Sequence, residues 1–517
     1  MALVLLIAIP ALGGVLALAS GRFGAAAPRR IALASMGLAL ALSVWIWFEN
    51  AAVLAIGGTH PSWALEVRAS WIPTLGASFH LGLDGLSLVL VVLTNLLGLF
   101  AVLCGWREVE HDPGLFHFNL LWNLAGVVGV FLALDLLLFF FFWEVMLVPM
   151  YFLIALWGRD VAGGRTRGYA AVKFFIFTQA SGLLLLVSIL ALALVHFRAT
   201  HVVSFDYADL LATPMASGTE WWLALGFFLA FAIKLPIVPL HTWLPDAHCN
   251  APTSGSVDLA GLLLKSAAYG LLRFALPFFP HASAAIAPIA MWLGVAGIVY
   301  GALVAFAQTD LKRLVAYTGV SHLGFVVVGI YAGTEQALLG VVVQMVAHGI
   351  SAGALFVLSG EIQARFGTRD LRELGGLWAR MPRLPPIVLF FALASLGLPG
   401  LGNFVGEFLI LSGTFTVAPA VAIAATSGLV LSVAYALIVV QRALHGPVGG
   451  AVRNVGGAVA ELTRPELAML ASLVVLLIGL GLYPQPVLDA AKAPMTALHA
   501  AYRPAPLARV HLPEPPP

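Results

Sequence analysis

The sequence predicts an all-α polytopic membrane protein with about fourteen transmembrane helices. Three observations lead there. The chain has 517 residues, of which 61% are hydrophobic and only 10% charged, with a mean hydropathy of +0.99; a soluble domain carries about 25% charged residues. Apolar runs long enough to span a bilayer recur along almost the whole chain. The basic residues between the runs fall mainly on one side when the runs alternate in direction.

The runs are Ala2–Ser20, Ile31–Phe48, Leu83–Cys104, Leu115–Leu134, Leu136–Trp157, Tyr169–Phe197 and Trp221–Leu240, followed by Ser256–Leu276, Ala284–Ala307, Leu311–Tyr331, Thr334–Gly360, Pro386–Thr414, Ala418–Leu444 and Pro465–Leu482. Ala2–Ser20 has no positive residue before its apolar stretch, so it is expected to be a retained first span and not a signal peptide. With strict alternation, loops after odd-numbered spans hold 17 Lys and Arg residues and the opposite loops hold 6, the latter being Arg68, Arg198, Arg273, Lys492, Arg503 and Arg509. The positive-inside rule then places both termini outside the cytoplasm. Lys173, Lys234 and Lys265 lie within spans, and Lys173 is expected to snorkel from the cytoplasmic start of its helix.

Two segments break the pattern. Glu49–Gly82 is mostly polar, contains Pro61 and Pro73, and reads as an ordered, hairpin-like outside loop. The segment after Tyr483 is proline-rich and is expected to be poorly ordered beyond Arg503.

Two spans are themselves interrupted. Span seven breaks at Lys234-Leu-Pro, with Pro236 and Pro239, and span twelve breaks at Gly397-Leu-Pro-Gly-Leu-Gly-Asn403, around Pro399. Proline removes a backbone donor, and a membrane tolerates the broken backbone only against protein or a wet cavity. The breaks lie five helices apart, an odd offset that inverts orientation, as in transport proteins built from two inverted five-helix repeats with discontinuous helices. The expected divisions are 1–112, N-terminal helices and outside loop; 113–276, a first half; 277–444, a second, inverted half; and 445–517, a last helix and tail.

Six titratable residues lie deep within spans: Glu144, Lys234, Lys265, His322, His348 and Glu407. Four carry full charge, at a cost of roughly 10–14 kcal/mol if each is unpaired. Glu144 follows Phe139-Phe-Phe-Phe-Trp143, where desolvation opposes its charge and a cation such as Lys234 would restore it; the structural alternative is a static ion pair. Lys265 is more than a turn from either helix end, and a desolvated lysine exchanges protons near neutral pH; the alternative is a bond to a carbonyl. His322 and His348 on successive helices can donate and accept a proton, or be satisfied core histidines. Asp258, seven residues before Lys265, is equally a helix N-cap. His241 and His248, around Trp243-Leu-Pro-Asp246, are possible cytoplasmic entry or support residues.

Other chemistries find no support. Cys104 and Cys249 are far apart and outside any CxxC pattern, so no iron–sulfur, haem or zinc framework can be drawn. The histidines lack spacing for metal ligation. No GxGxxG or P-loop motif is present. A net charge of +2 without a basic run gives no indication of nucleic-acid binding.

The stretch Lys234-Leu-Pro…Pro239-Leu-His-Thr-Trp-Leu-Pro-Asp-Ala-His248, then Ala251-Pro-Thr-Ser-Gly-Ser-Val-Asp258 and Leu264-Lys265, resembles the antiporter-like membrane subunits of respiratory complex I. So do Tyr317…Ser321-His322, Leu398-Pro-Gly…Asn403-Phe-Val-Gly-Glu407-Phe and the Phe-rich run into Trp143-Glu144. A glutamate on helix twelve is similar to the M type, homologous to mitochondrial subunit four, where the other two types carry lysine. The resemblance implies a coupled pair in Glu144 and Lys234, a central relay in Lys265, His322 and His348, and an outside exit at Glu407. It implies no redox centre or cofactor in this chain, with FMN, iron–sulfur clusters and quinone in partner subunits of an NADH:quinone oxidoreductase. It also implies neighbours of the L and N types, the lateral helix of the L type, and a bacterial inner membrane with both termini periplasmic. Cys249-Asn250 and Gly319, where many relatives have a small hydroxyl residue, depart from the family pattern. The competing readings are a cation/proton antiporter subunit, a proton-coupled hydrogenase or formate complex, and a scaffold whose buried charges lock helices.

Overall fold

The computed structural model describes residues 1–54, 63–161, 164–455 and 459–502. Pro61 and the tail beyond Arg503 lie outside the described residues. Among the described residues, twelve helices are long and apolar enough to cross a membrane. In chain order the helices are α1 (Ala2–Phe23), α2 (Ala26–Ala51), α3 (Gly85–Glu108), α4 (Pro113–Leu132), α5 (Leu136–Trp157) and α6 (Arg167–Thr200). The interrupted α7 follows, with halves Ser217–Lys234 and Trp243–Asn250. Next come α8 (Thr253–Phe278), α9 (Pro280–Phe306), α10 (Leu311–Ala332) and α11 (Glu335–Phe366). The interrupted α12 has halves Leu384–Ser395 and Gly402–Phe415, and α13 (Pro419–Leu444) and α14 (Arg464–Leu482) complete the series. These twelve helices and the two with Pro-containing breaks, α7 and α12, are consistent with the expected fourteen, and those breaks fall at the expected positions.

Burial orders the bundle. The apolar windows of α8, α10 and α11 are 100%, 94% and 94% buried, whereas those of α1, α2 and α14 are 33%, 28% and 28% buried. The centre is therefore formed by the helices that carry Lys265, His322 and His348. Helix α8 is not regular: it widens into π-helical turns at Leu259–Leu263 and Leu271–Ala275. Such turns release backbone carbonyls and recur at functional sites. Helix α5 is interrupted at Met146, three residues before Pro149, which has no N–H to donate.

The polar loop forms the expected hairpin. β1 (Leu65–Ile72) pairs antiparallel with β2 (Ala77–Leu83), with Leu65 opposite Leu83 and Arg68 opposite His80. Gly76 closes the turn at φ +70°, a left-handed conformation that favours glycine. One helix was not expected from the sequence: α15 (Gln485–Ala501), in the segment read only as a proline-rich tail. Pro486 sits in its first turn, where no donor is lost, and Pro494 lies inside it. Ala490, Ala491, Met495 and Leu498 are buried at helical spacing. Thr496 donates to Glu335 at 2.8 Å, His499 bonds the Gly333 carbonyl at 2.7 Å, and the Tyr502 hydroxyl donates to the Tyr331 carbonyl at 3.2 Å. The amphipathic helix thus lies across the α10–α11 turn, at the same end of the bundle as the hairpin.

That end is held by a polar clasp. His80 meets Asp206 at 2.6 Å through Nδ1 and Glu66 at 2.8 Å through Nε2, and Arg68 lies 3.2 Å from Asp206. Asp135 accepts from the Ser78 backbone at 2.8 Å and caps α5 through the amides of Leu137 and Leu138. Burial opposes charge on His80, but hydrogen bonds and attraction from Asp206 and then Glu66 outweigh it and raise the imidazole above its ordinary range. Burial likewise opposes charge on Asp206, and the His80 contact outweighs it, holding that carboxyl below its ordinary range. The His80 contribution is therefore complete below about pH 6.5 and is lost as pH rises through the raised value. Hairpin amides are predicted to exchange faster above that range, after correction for intrinsic rates, and His80→Gln is predicted to flatten the dependence. Hydrogen exchange by mass spectrometry checks both.

Candidate functional site

Helix α7 ends at Lys234 because Pro236 and Pro239 cannot continue its ladder. The exposed chain end is satisfied locally: the Trp243 indole donates to the Ile233 carbonyl at 2.9 Å. Lys234 is 2% exposed, and its ammonium lies 3.7 Å from the centroid of the Trp143 ring. This is a cation–π contact, worth about 2 kcal/mol or more when desolvated. Glu144 adjoins Trp143 in sequence but makes no ion pair with Lys234. Its Oε1 is buried without a partner beside Gly182, where any Cβ would collide with it. The expected partners are thus not bonded to each other: the ammonium rests on the Trp143 ring, and one oxygen of the Glu144 carboxylate is left open.

Lys265 is fully buried. Its ammonium donates to the Ala260 carbonyl, released by the first π turn, and lies 2.8 Å from His348 Nδ1. His348 Nε2 has no partner, and its ring centroid is 5.5 Å from that of His322. His322 Nδ1 meets Glu407 Oε1 at 2.7 Å, while its Nε2 lies 3.2 Å from both Ser395 Oγ and the Tyr435 hydroxyl. Gln344 also donates to Glu407 at 2.9 Å. The break in α12 shapes this end. Gly397 takes φ +79° after Ser395, and a Cβ there would come within 3.2 Å of Glu407 Oε2. The chain passes Pro399 and restarts at Gly402 with Glu407 on its second turn.

The structure therefore brings Lys265, His348, His322 and Glu407 into one file, with a gap between the two imidazoles. Lys234, Trp143 and Glu144 form a separate group. Asp258 is not a helix cap: α8 starts five residues earlier, and Asp258 is fully buried, accepting from Asn123 at 2.6 Å with its other oxygen unpartnered. His248 is also deep, stacked on Phe356 at 4.4 Å with an interplanar angle of 9°, so it does not sit at a wet mouth. His241 packs against Tyr300 at 5.0 Å, with Nδ1 unpartnered. Lys173 does not snorkel; it meets Asp246 at 2.7 Å, with Arg313 3.4 Å away on the same carboxylate. These residues, with Arg165, Tyr169 and Tyr317, line a cleft of about 560 Å³ at the bundle end opposite the hairpin.

Trp143, Asn123, Gln344, Ser395 and Tyr435 escaped the sequence reading. Gln344 stands one turn before His348, a spacing that could have flagged it. Nothing in the apolar surroundings of Tyr435 marks it.

Residues 133–432 match the family model described as NADH:quinone oxidoreductase/Mrp antiporter, transmembrane. The chain is 60% identical to NADH-quinone oxidoreductase subunit M of Pseudomonas aeruginosa over 95% of its own length and 96% of that protein's. It is 58% identical to the Escherichia coli protein of the same name over 94% and 95% of the two lengths. Among solved structures, a chain of respiratory complex I from Thermus thermophilus superposes with a TM-score of 0.82 at 31% identity, covering 96% of this chain and all of that one. A chain of the Mrp complex from a Dietzia species superposes with a TM-score of 0.76 at 26% identity, covering 95% of this chain and 51% of that one. The chain belongs to the NADH:quinone oxidoreductase/Mrp antiporter family of membrane proteins.

Proposed function

We propose that this chain is a proton-translocating membrane-arm subunit of an NADH:quinone oxidoreductase, carrying protons along its buried Glu, Lys and His residues while partner subunits perform the redox chemistry. The single observation behind the residue assignment is the file Lys265–His348–His322–Glu407, whose members are all buried and which holds contacts of 2.8 Å and 2.7 Å on either side of the imidazole gap. Relatives bearing the oxidoreductase name match nearly end to end, whereas the Mrp chain is about twice as long as the part matched; this supports the oxidoreductase reading over the antiporter one.

In this mechanism the cleft beside Lys173, Asp246 and Arg313 admits protons from the cytoplasm, and His241 leads inward toward Lys234. A displacement in a neighbouring subunit moves the Glu144 carboxylate, which has no ion pair to break, toward or away from the ammonium on Trp143. The change in field moves a proton from Lys234 toward Lys265. His348 and His322 pass it on, and Glu407 releases it on the far side. Moving one charge against 100 mV costs about 2.3 kcal/mol, within reach of a shift of less than two pKa units at about 1.4 kcal/mol each. The chain itself would hold no redox centre, sit in a bacterial inner membrane with both termini periplasmic, and contact L- and N-type neighbours and the L-type lateral helix.

Lys234→Ala, in the assembled complex in vesicles, is predicted to slow proton transfer through this chain by about 100-fold or more, as loss of a proton-transfer group does, and so to remove this chain's share of NADH-driven proton uptake per electron pair. Unchanged stoichiometry would overturn the relay. Trp143→Leu removes roughly 0.5–2 kcal/mol of support for the ammonium, and a severalfold fall in uptake is expected with assembly intact. A dye-reported pH gradient measured beside NADH oxidation checks both.

A further inference from the structure

The buried polar groups of this protein fall into two kinds. Along the proposed pathway several atoms lack a partner: Glu144 Oε1, His241 Nδ1 and His348 Nε2. At the hairpin end of α8 a second cluster, Arg273, Asp84, Tyr269 and Ser87, has no buried side-chain atom without a partner. Arg273, which alternation had assigned to an outside loop, is 5% exposed and pairs with Asp84 at 2.5 Å. Its Nε donates to the Tyr269 hydroxyl at 3.2 Å, and its guanidinium lies 4.9 Å from the Trp63 ring centroid. Tyr269 in turn donates to the Phe131 carbonyl at 3.0 Å and lies 3.1 Å from Ser87 Oγ. The other oxygen of Asp84 caps α3 through the Ser87 amide at 2.9 Å.

The position of this cluster matters. Tyr269 and Arg273 follow Lys265 at i+4 and i+8, spacings that share one helix face, so they stand between Lys265 and the hairpin end about 12 Å along the axis. A proton on Lys265 therefore has two directions: sideways to His348, or straight along α8. A guanidinium keeps its protons at any physiological pH and cannot relay one, and a fixed cation in a narrow passage repels an incoming hydronium. Both oxygens of Asp84 and the Tyr269 hydroxyl are engaged, which holds the guanidinium in place. A buried ion pair is also a poor choice if packing alone were required, since apolar residues would stabilise the site as well.

We propose that the Arg273–Asp84 pair, with Tyr269, is a fixed-charge stopper that closes the direct route from Lys265 to the hairpin side and leaves the lateral route through His348 as the exit. This rests on the reading of Lys265 as a proton carrier. The test is passive: a pH gradient is imposed across vesicles holding the whole complex, without NADH, and its decay is followed. Arg273→Gln should speed decay on the order of tenfold while NADH oxidation continues. Arg273→Lys, which keeps the charge, should stay near wild type. Adding Lys265→Met to Arg273→Gln should restore slow decay. If Arg273→Gln does not assemble, the double variant Arg273→Gln/Asp84→Asn, which removes the cation without leaving a buried unpaired carboxylate, should leak in the same way. Wild-type decay in the assembled variant, or a leak that persists without Lys265, overturns the stopper. Driven pumping in Lys234→Ala tests the relay separately, so either idea can fail alone.

Discussion

Lipid offers no hydrogen bond to a charged side chain or to an unpaired backbone group, so each polar atom inside the bundle must be met by the protein or by water held within it. The architecture around the titratable residues follows from that demand. Lys234 ends a helix whose last carbonyls are partly capped by the Trp243 indole. Lys265 meets a carbonyl freed by a π turn. Ser395, at the break in α12, presents its hydroxyl to His322 and its carbonyl to Tyr435. Backbone irregularity and ionisable residue coincide each time, because each supplies the other with a partner.

Burial adds the second dimension. The three helices most enclosed by protein carry Lys265, His322 and His348, while α1, α2 and α14 are the least enclosed by the rest of the chain. The titratable groups thus run across the bundle and not along one helix, a geometry suited to passing charge sideways. Within that row, bonds alternate with vacancies. His348 is bonded on Nδ1 and open on Nε2, and Gly319 lies beside the open nitrogen with room for a Cβ 3.6 Å away. Glu144 is open on Oε1. An arrangement of this kind can change its bonding at low cost, in contrast to the ion-paired Arg273 and Asp84.

Much of this was legible in the sequence. Span length and alternation located the helices, Pro236, Pro239 and Pro399 located the breaks, and charge at membrane depth singled out the six titratable residues. Depth along a helix is readable from one chain, but direction around it is not. The sequence therefore could not show that an indole separates Glu144 from Lys234, that Lys173 turns to Asp246, or that Asp258 faces Asn123 away from the helix start. Arg273 was misplaced for a related reason: lying near a span end, it was counted as a loop cation although α3 and the hairpin bury it. Helix α15 was missed because it is too short and too weakly apolar to signal a membrane span, in a segment read only as a proline-rich tail.

The central claim is that these groups form one hydrated path despite the two gaps, between Lys234 and Lys265 and between the imidazoles. The most direct measurement is a structure of the assembled complex at a resolution that shows individual waters. Ordered waters are predicted on His348 Nε2, between it and His322, and in a chain linking Lys234 to Lys265. Dry apolar packing in either gap, in a complex that pumps, would contradict a continuous path.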